Sequence, residues 1–334
     1  MRIGLAGTGR IGAFHASTLA ALEDVEQVVL TDVLPEGAAR LAQEHGYEVS
    51  PELDDLLTQV DALVITTSTS GHAPALRAAL EAKVPAFCEK PVAATLAETI
   101  DLVRLVDESE VPVQVGFQRR FDAGYRRARE AVSGGELGFV HTIRVNTHDQ
   151  SPPPAAYIPT SGGLFRDCSI HDFDVLRFVT GREVTQVFAV GANKGACFFT
   201  EGGDVDTAAA VLTLDDGTLV TVSAPRYSGG GHDVRMEVMG SEGTIGVGYD
   251  DSLAVRSAEA GVDYPRGPQK WSYMERFLPA YRAELAAFGD LVAGRIDNPC
   301  TVADALQAFR VAEACETSRA TGRAVEMTEI GDAT

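Results

Sequence analysis

The stretch RIGLAGTGRIG (Arg2–Gly12) decides the fold. It runs a short apolar strand into three glycines, Gly7, Gly9 and Gly12, and then into the helical stretch Arg10–Leu22. Each glycine has a separate use in a strand–turn–helix unit. The first allows a tight turn, the second lets backbone approach a pyrophosphate, and the third lets the helix pack close on the strand. The helix N-terminus then faces the phosphates with its backbone N–H groups. A glycine turn alone is a weak signal. The second check is Asp32, which ends the strand QVVLTD (27–32) twenty residues after Gly12, where an acid takes the ribose hydroxyls of a dinucleotide. The competing reading is a plain glycine turn beside an acidic loop. Val33, Leu34 and Pro35 follow Asp32 without a lysine or arginine, so a 2′-phosphate would meet a carboxylate and no cation. The expected cofactor is therefore NAD and not NADP.

Outward from this unit the pattern repeats. The helical PEGAARLAQEHG (35–46) follows, then the strand DALVIT (61–66), the helix HAPALRAALEAK (72–83), the strand PAFCE (85–89), the helix Thr95–Glu108 and the strand PVQVGF (112–117). Strands alternating with helices predict an α/β fold, a doubly wound parallel sheet covered on both faces. From about Gly138 the alternation stops. FVHTIRVNTH (139–148), VTQVFAVGA (184–192), DTAAAVLTL (206–214), TLVTVSAP (218–225) and VRMEVMG (234–240) read as strands, with DDG (215–217) and GSEGT (240–244) as hairpin turns. Helices are expected at Ile170–Val179, Ala280–Leu291 and Val302–Ala320. The second half is thus an α+β domain on a large, mainly antiparallel open sheet. The predicted division is 1–119 for the NAD-binding Rossmann domain and 120–334 for substrate binding and oligomerisation.

Composition bounds the function. The 334 residues carry 48 acidic against 28 basic side chains, a formal net charge of −20. Such a surface argues against nucleic acid, whose phosphates need cations, and against an anionic membrane surface. No apolar run approaches the ~18 residues of a membrane span, and MRIGLAGTGR (1–10) has no cleavage-type pattern. The five cysteines, Cys88, Cys168, Cys197, Cys300 and Cys315, are scattered without zinc spacing. Reduced thiols in a cytoplasmic protein, with no metal, are the expectation.

The chemistry concentrates in GGLFRDCSIHDFD (162–174). Apolar residues at 170, 173, 176 and 179 read as a helix, with Asp167 or Ser169 as its N-cap. Four-residue spacing puts Asp167 and His171 on one helical face, where the carboxylate can orient the imidazole and stabilise its protonated form, as a general base needs. An N-cap aspartate and a helix-surface histidine is the other reading. Asp172 and Asp174 read as first-turn acids that suit the helix dipole. The proline run SPPPAAYIP (151–159) reads as a stiff extended loop, either a pocket wall or an inert surface segment. CEKPV (88–92) ends a strand of the first domain, on the side where open α/β sheets bind ligands. There Lys90 either points its ammonium into a cleft or sits in an ordinary surface turn.

In this order GTGRIG, EKP and GGLFRDCSIHDFD resemble the Gfo/Idh/MocA family of NAD(P)-dependent oxidoreductases, over nearly the whole chain. Ser161–Phe178, GFQRRFDAGY (116–125), GGDVDTA (202–208) and AYRAELAAF (280–288) are similar to segments of its inositol 2-dehydrogenases. The resemblance implies a catalytic set of Lys90, Asp167 and His171. Lys90 would contact the reacting oxygen and the cofactor side, His171 would exchange the proton, and Asp167 would orient it. Asp149 and Tyr281 match positions that contact a cyclitol ring, and His232 stands where such enzymes often have tyrosine. The expected cofactor contacts are Gly7, Gly9, Arg10, Ile11, Gly12, Asp32, Thr67, His72, Glu89 and Lys90. The implied reaction is NAD-dependent oxidation of myo-inositol or a related cyclitol, by a dimer or tetramer built through the C-terminal sheet. Dehydrogenation of another polyol, pyranose or amino-cyclitol is the alternative within enzymes. A silent NAD-sensing regulator is the alternative outside them.

Overall fold

The computed structural model describes residues 1–249, 260–261 and 272–331. They form two units, Met1–Gln118 with Pro279–Leu306, and Arg119–Leu278 with Gln307–Thr334. A single cut after residue 119 lands next to the first crossing, but Pro279–Leu306 joins the first unit and not the second. The helix expected at Ala280–Leu291 therefore belongs to the first unit.

The first unit alternates strands and helices: β1 (Arg2–Ala6), α1 (Arg10–Ala20), β2 (Gln27–Thr31), α2 (Pro35–His45), β3 (Glu48–Val49), α3 (Leu53–Leu57), β4 (Ala62–Ile65), α4 (Thr69–Glu81), β5 (Ala86–Glu89), α5 (Leu96–Ser109) and β6 (Val113–Gly116). The short β3 and α3 carry too little periodicity to be read from sequence. Helix α4 starts three residues before the expected His72. Helix signals elsewhere hold. Pro35 opens α2 and Gly46, at φ 77°, closes it, the conformation glycine adopts without strain. Thr95 accepts the Glu98 N–H at 3.2 Å at the start of α5. The strands pair in parallel in the order β3-β2-β1-β4-β5-β6. The five longer strands are largely buried, and β4 is apolar throughout, because helices cover both faces. Ile3, Leu5, Val28, Leu30, Val64 and Phe87 form one core with Ala16 and Leu19 of α1 and with Leu285, Phe288 and Leu291. The winding reverses between β1 and β4, so the carboxyl ends of β1, β4 and β5 gather where such sheets bind ligands.

The second unit contains α6 (Ala123–Ser133), β7 (Val140–His148), α7 (Ile170–Thr180), β8 (Val184–Ala192), α8 (Phe198–Glu201), β9 (Thr207–Leu214), β10 (Leu219–Pro225), β11 (Asp233–Gly240) and β12 (Thr244–Val247). The chain ends with α9 (Tyr273–Val292), α10 (Val302–Thr321) and β13 (Val325–Glu326). Both expected hairpins form, β9 with β10 and β11 with β12. The seven strands run in the order β12-β11-β7-β10-β9-β8-β13, antiparallel except that β7 and β10 pair in parallel. Alternation leaves two unlike faces. Ile143, Val145, Val187, Leu212, Val220 and Met236 are buried on one, while Phe188, Val190, Val211 and Leu219 are exposed on the other. Among the described residues no helix is long and apolar enough to cross a membrane.

Candidate active site

In the first unit the glycine turn closes tightly. Gly7 has φ +97°, and a Cβ there would stand 2.6 Å from the Thr67 backbone nitrogen. A Cβ on Gly12 would stand 1.9 Å from the Gly7 carbonyl oxygen, so only glycine lets α1 leave β1 at this angle. A Cβ on Gly9 would meet nothing within 4 Å, and Gly9 begins α1 without any side-chain cap. This geometry could cradle a phosphate group: a helix N-terminus whose approach no side chain at position 9 blocks. Thr66, which the sequence did not single out, donates to the Gly7 carbonyl at 2.7 Å and ties β4 to the turn.

Asp32 ends β2 half-buried and faces that same turn. Its Oδ2 accepts the Thr8 N–H at 2.5 Å and the Thr8 hydroxyl at 2.8 Å, and its Oδ1 accepts the Leu34 N–H at 2.9 Å. Partial burial acts to raise its pKa, but these three donors outweigh it and hold the carboxyl below its ordinary value. Three of a carboxylate's roughly four acceptor sites are thus taken by the protein, which leaves less for ribose hydroxyls than the sequence suggests.

His72 is buried, with Nδ1 2.7 Å from the Pro91 carbonyl and Nε2 3.0 Å from the Thr67 carbonyl. It braces the loop after β4 against the loop after β5. Burial, its largest influence, pushes the imidazole toward its neutral form despite both carbonyls. Thr67 itself is half-buried at the end of β4. Glu89 ends β5 and accepts from the buried His15 Nε2 at 2.7 Å and from the Lys90 N–H at 3.3 Å. His15, on α1, was missed because a lone histidine in a helix carries no motif. Lys90 follows, half-buried, before a cis bond to Pro91. Tyr281 also lies in this unit, its buried ring edge-on to Phe14 and His15 at 5.2 and 5.6 Å between centroids. Arg10 and Ile11 occupy the first turn of α1.

In the second unit the parallel pairing of β7 with β10 brings their carboxyl ends side by side, Asn146 opposite Ser223. Asp149 and Arg226 follow those ends. The antiparallel β11 begins there too, opposite His148, and places His232 beside them. The Arg226 guanidinium donates from Nη2 to Asp167 Oδ2 at 2.8 Å and from Nη1 to Asp149 Oδ2 at 3.2 Å. The same Nη1 stands 2.8 Å from Cys168 Sγ. His232 Nδ1 is 3.5 Å from Asp149 Oδ1. Tyr157 O–H donates to Asp167 Oδ1 at 3.0 Å, so the proline segment does line this cluster. Its residues Ala155–Thr160 form a 3-10 helix, not an extended loop throughout. Burial acts to raise the Asp149 carboxyl, yet His232, Arg226 and the Cys168 thiol together hold it down at about 2.

Three readings of the central segment change. Phe165–Ser169 is a π-helical turn running straight into α7, so neither Asp167 nor Ser169 caps a helix. A π turn widens the repeat beyond an α-helix's, so four-residue spacing no longer stacks Asp167 under His171 by itself. Asp172 and Asp174 are not surface acids. Asp172 is buried against Arg119 at 2.5 Å and accepts from Thr147 at 2.6 Å. Asp174 is buried and held by both Arg120 Nε at 2.9 Å and Nη2 at 2.6 Å. His171 lies half-buried beside them at the start of α7. Among the described residues no group of three or more His, Cys, Asp or Glu side chains could hold a metal ion.

Residues 1–117 match the family model for the oxidoreductase family with an NAD-binding Rossmann fold, and residues 125–246 match the GFO/IDH/MocA C-terminal domain. A myo-inositol dehydrogenase of Streptomyces leeuwenhoekii is 39% identical over 96% of this chain and 98% of its own length. Myo-inositol 2-dehydrogenase of Thermotoga maritima is 34% identical over 99% of each. The crystal structure of scyllo-inositol dehydrogenase from Lactobacillus casei, with bound NAD(H) and scyllo-inositol, superposes with a TM-score of 0.87 at 30% identity, over 98% of this chain and 99% of that one.

A carboxyl held at about 2, against roughly 3.9 when unfolded, contributes on the order of 2 kcal/mol of stability. That contribution is complete above the unfolded value and is lost as pH falls through the folded one. Acid unfolding of Asp149→Asn, followed by circular dichroism, should lack this part of the slope. An unchanged slope would mean that Asp149 carries no such charge.

Proposed function

The chain belongs to the GFO/IDH/MocA family of NAD-binding oxidoreductases, and we propose that it oxidises a secondary alcohol of a cyclitol, myo-inositol or a close relative, to the ketone. The observation that carries this reading is the polar cluster of Asp149, Asp167 and His232 around Arg226, joined to relatives named for inositol at 34–39% identity. A ring with a hydroxyl on every carbon needs several donors and acceptors fixed in place, and buried polar groups left unpaired by a poorer substrate disfavour it.

The cradle at Gly7, Gly9 and Gly12 fits a pyrophosphate, with Arg10 and Ile11 in the first helical turn, Asp32 toward the ribose, and Thr67, His72, Glu89 and Lys90 forming the loops beyond. Bound there, NAD supplies the hydride acceptor. His171 takes the hydroxyl proton on a ring nitrogen, and Asp167 orients that ring and favours its charged form. The Lys90 ammonium stabilises the developing alkoxide and holds the oxygen in place. Asp149, His232 and Tyr281 hold other hydroxyls. We also place a second copy of the chain over the bare sheet face of Phe188, Val190, Val211 and Leu219, giving a dimer or tetramer. Five scattered cysteines without zinc spacing suit a reducing cytoplasm.

Initial rates of NAD reduction over myo-, scyllo- and chiro-inositol, glucose and acyclic polyols test the substrate. Cyclitols should be preferred, and equal turnover of acyclic alcohols would defeat the reading. His171→Ala and Lys90→Ala should each lower kcat by on the order of 10²–10⁴ while NADH binding persists. Near-normal turnover of His171→Ala would move the proton elsewhere. For the cofactor, Asp32→Ser should weaken NAD by roughly 1.5–3 kcal/mol, the scale of a charge-assisted hydrogen bond. It should also narrow the kcat/KM ratio of NAD over NADP. Wild-type use of both cofactors at similar rates would show that Asp32 does not govern the choice. Sedimentation velocity of the 35.4 kDa chain should find an assembly that Leu219→Lys dissociates. A monomeric wild type would remove the interface.

A further inference from the structure

We propose that Arg226 is a positioning residue for proton transfer: its buried guanidinium fixes the plane and the charge of Asp167, and through Asp167 the behaviour of His171. This rests on the proposed reading of His171 as the proton acceptor and of Asp167 as the group that orients it. No sequence motif draws attention to Arg226, which lies in SAPRYSGGGHD (223–233) just past β10.

The geometry is specific. Arg226 has a side chain 3% exposed, and its backbone N–H is anchored to the Asp206 carbonyl at 2.7 Å. Asp167 receives Arg226 on Oδ2 and the Tyr157 hydroxyl on Oδ1. Donors on both oxygens, from two different elements, leave the carboxylate little rotation about its last bond. Arg226 also reaches Asp149 and Cys168. The charged and titratable groups around it are therefore Asp149 after β7, Tyr157 on the 3-10 turn, Asp167 and Cys168 on the π turn, and His232 before β11 through Asp149. His171 follows Asp167 by four residues, and His148 precedes Asp149.

The charges decide what Arg226 does. Two carboxylates here share one guanidinium, a cation that never titrates in the working range. Without it, two carboxylates in one site would drive one of them to hold a proton. The surplus negative charge would also make His171 keep its proton to higher pH. Losing that cation therefore raises the pH at which the base becomes available, to the extent that the surplus charge is not taken up as a proton by one of the carboxylates. With Arg226 in place that surplus is balanced, and Asp167 is held on both oxygens.

The test compares Arg226→Met, Arg226→Lys and the double variant Asp149→Asn/Arg226→Met with wild type and His171→Ala. Profiles of kcat and kcat/KM against pH are measured with NAD and myo-inositol, and NADH affinity by fluorescence. For Arg226→Met we expect kcat to fall by about 10², the cost of misplacing a reacting group. Its acid limb should move up by about one pH unit or more, with NADH affinity unchanged. Arg226→Lys keeps the cation but not the fork, so its limb should stay in place while kcat falls. The double variant removes one charge of each sign, and its limb should return toward wild type. The titration midpoint of the His171 ring, read by NMR without substrate and assigned by its loss in His171→Ala, should follow the same order. If Arg226→Met leaves limb and midpoint in place, or if Arg226→Lys shifts them equally, the assignment is wrong even where His171 proves to be the base. If His171→Ala keeps wild-type turnover and limb, the underlying reading of the base falls instead. Should Arg226→Met fail to fold, Arg226→Gln takes its place, with the same upward shift of limb and midpoint expected and an unmoved limb and midpoint overturning the assignment.

Discussion

A guanidinium cannot give up its proton, so every arginine that the fold buries must be met by an acid. Among the described residues of the second unit, Arg119, Arg120 and Arg226 are buried in this way. Their partners are Asp172, Asp174, and the pair Asp149 and Asp167. Desolvating both members of such a pair roughly cancels their attraction, so the pairs add little net stability. Removing one member is another matter, at about 3–5 kcal/mol, because the other is left buried and unmatched. The pairs therefore act as alignment constraints. Arg119 and Arg120 stand side by side just before α6 and grip α7 at Asp172 and Asp174, and Arg119 also reaches Thr147 on β7. His171 precedes Asp172 directly, so the rotation and height of its helix are set by buried charges.

The same constraint explains what the sequence shows and what it hides. Gly7 and Gly12 are legible because their role is local: a turn that no Cβ could enter. Strands with apolar runs and helices with Pro35 and Gly46 at their ends are legible for the same reason. Asp172 and Asp174 mislead because first-turn acids usually face water, and nothing within the helix reveals two arginines fifty residues earlier in the chain. Arg226 is hidden more deeply. It meets Asp149 only because β7 pairs in parallel with β10, and hairpin turns give no hint of a parallel neighbour. The π turn at Phe165–Ser169 is likewise invisible to periodicity, since it shifts the register that periodicity assumes.

Several residues expected at the cofactor also have protein partners of their own. His72 braces two loops through their carbonyls, Thr8 occupies much of Asp32, and His15 holds Glu89. Sequence locates such a neighbourhood well because these residues cluster near the motif. It separates contact from support poorly, because the difference lies in where a side chain points.

The first unit's core includes Leu285, Phe288 and Leu291, contributed from far beyond the residues that build its sheet. A ribosome delivers the chain from its N-terminus, and domains tend to fold as they emerge. Here all six strands of the first sheet are made while the helix that completes its core is still untranslated. For the span of some 160 residues of synthesis, Phe87 and Leu5 lack the partners that enclose them in the finished protein. The nascent Rossmann half must wait, partly open, until most of its companion unit has also left the tunnel. The two units are thus linked in time as well as in sequence, and neither gene half would encode a complete domain if expressed alone.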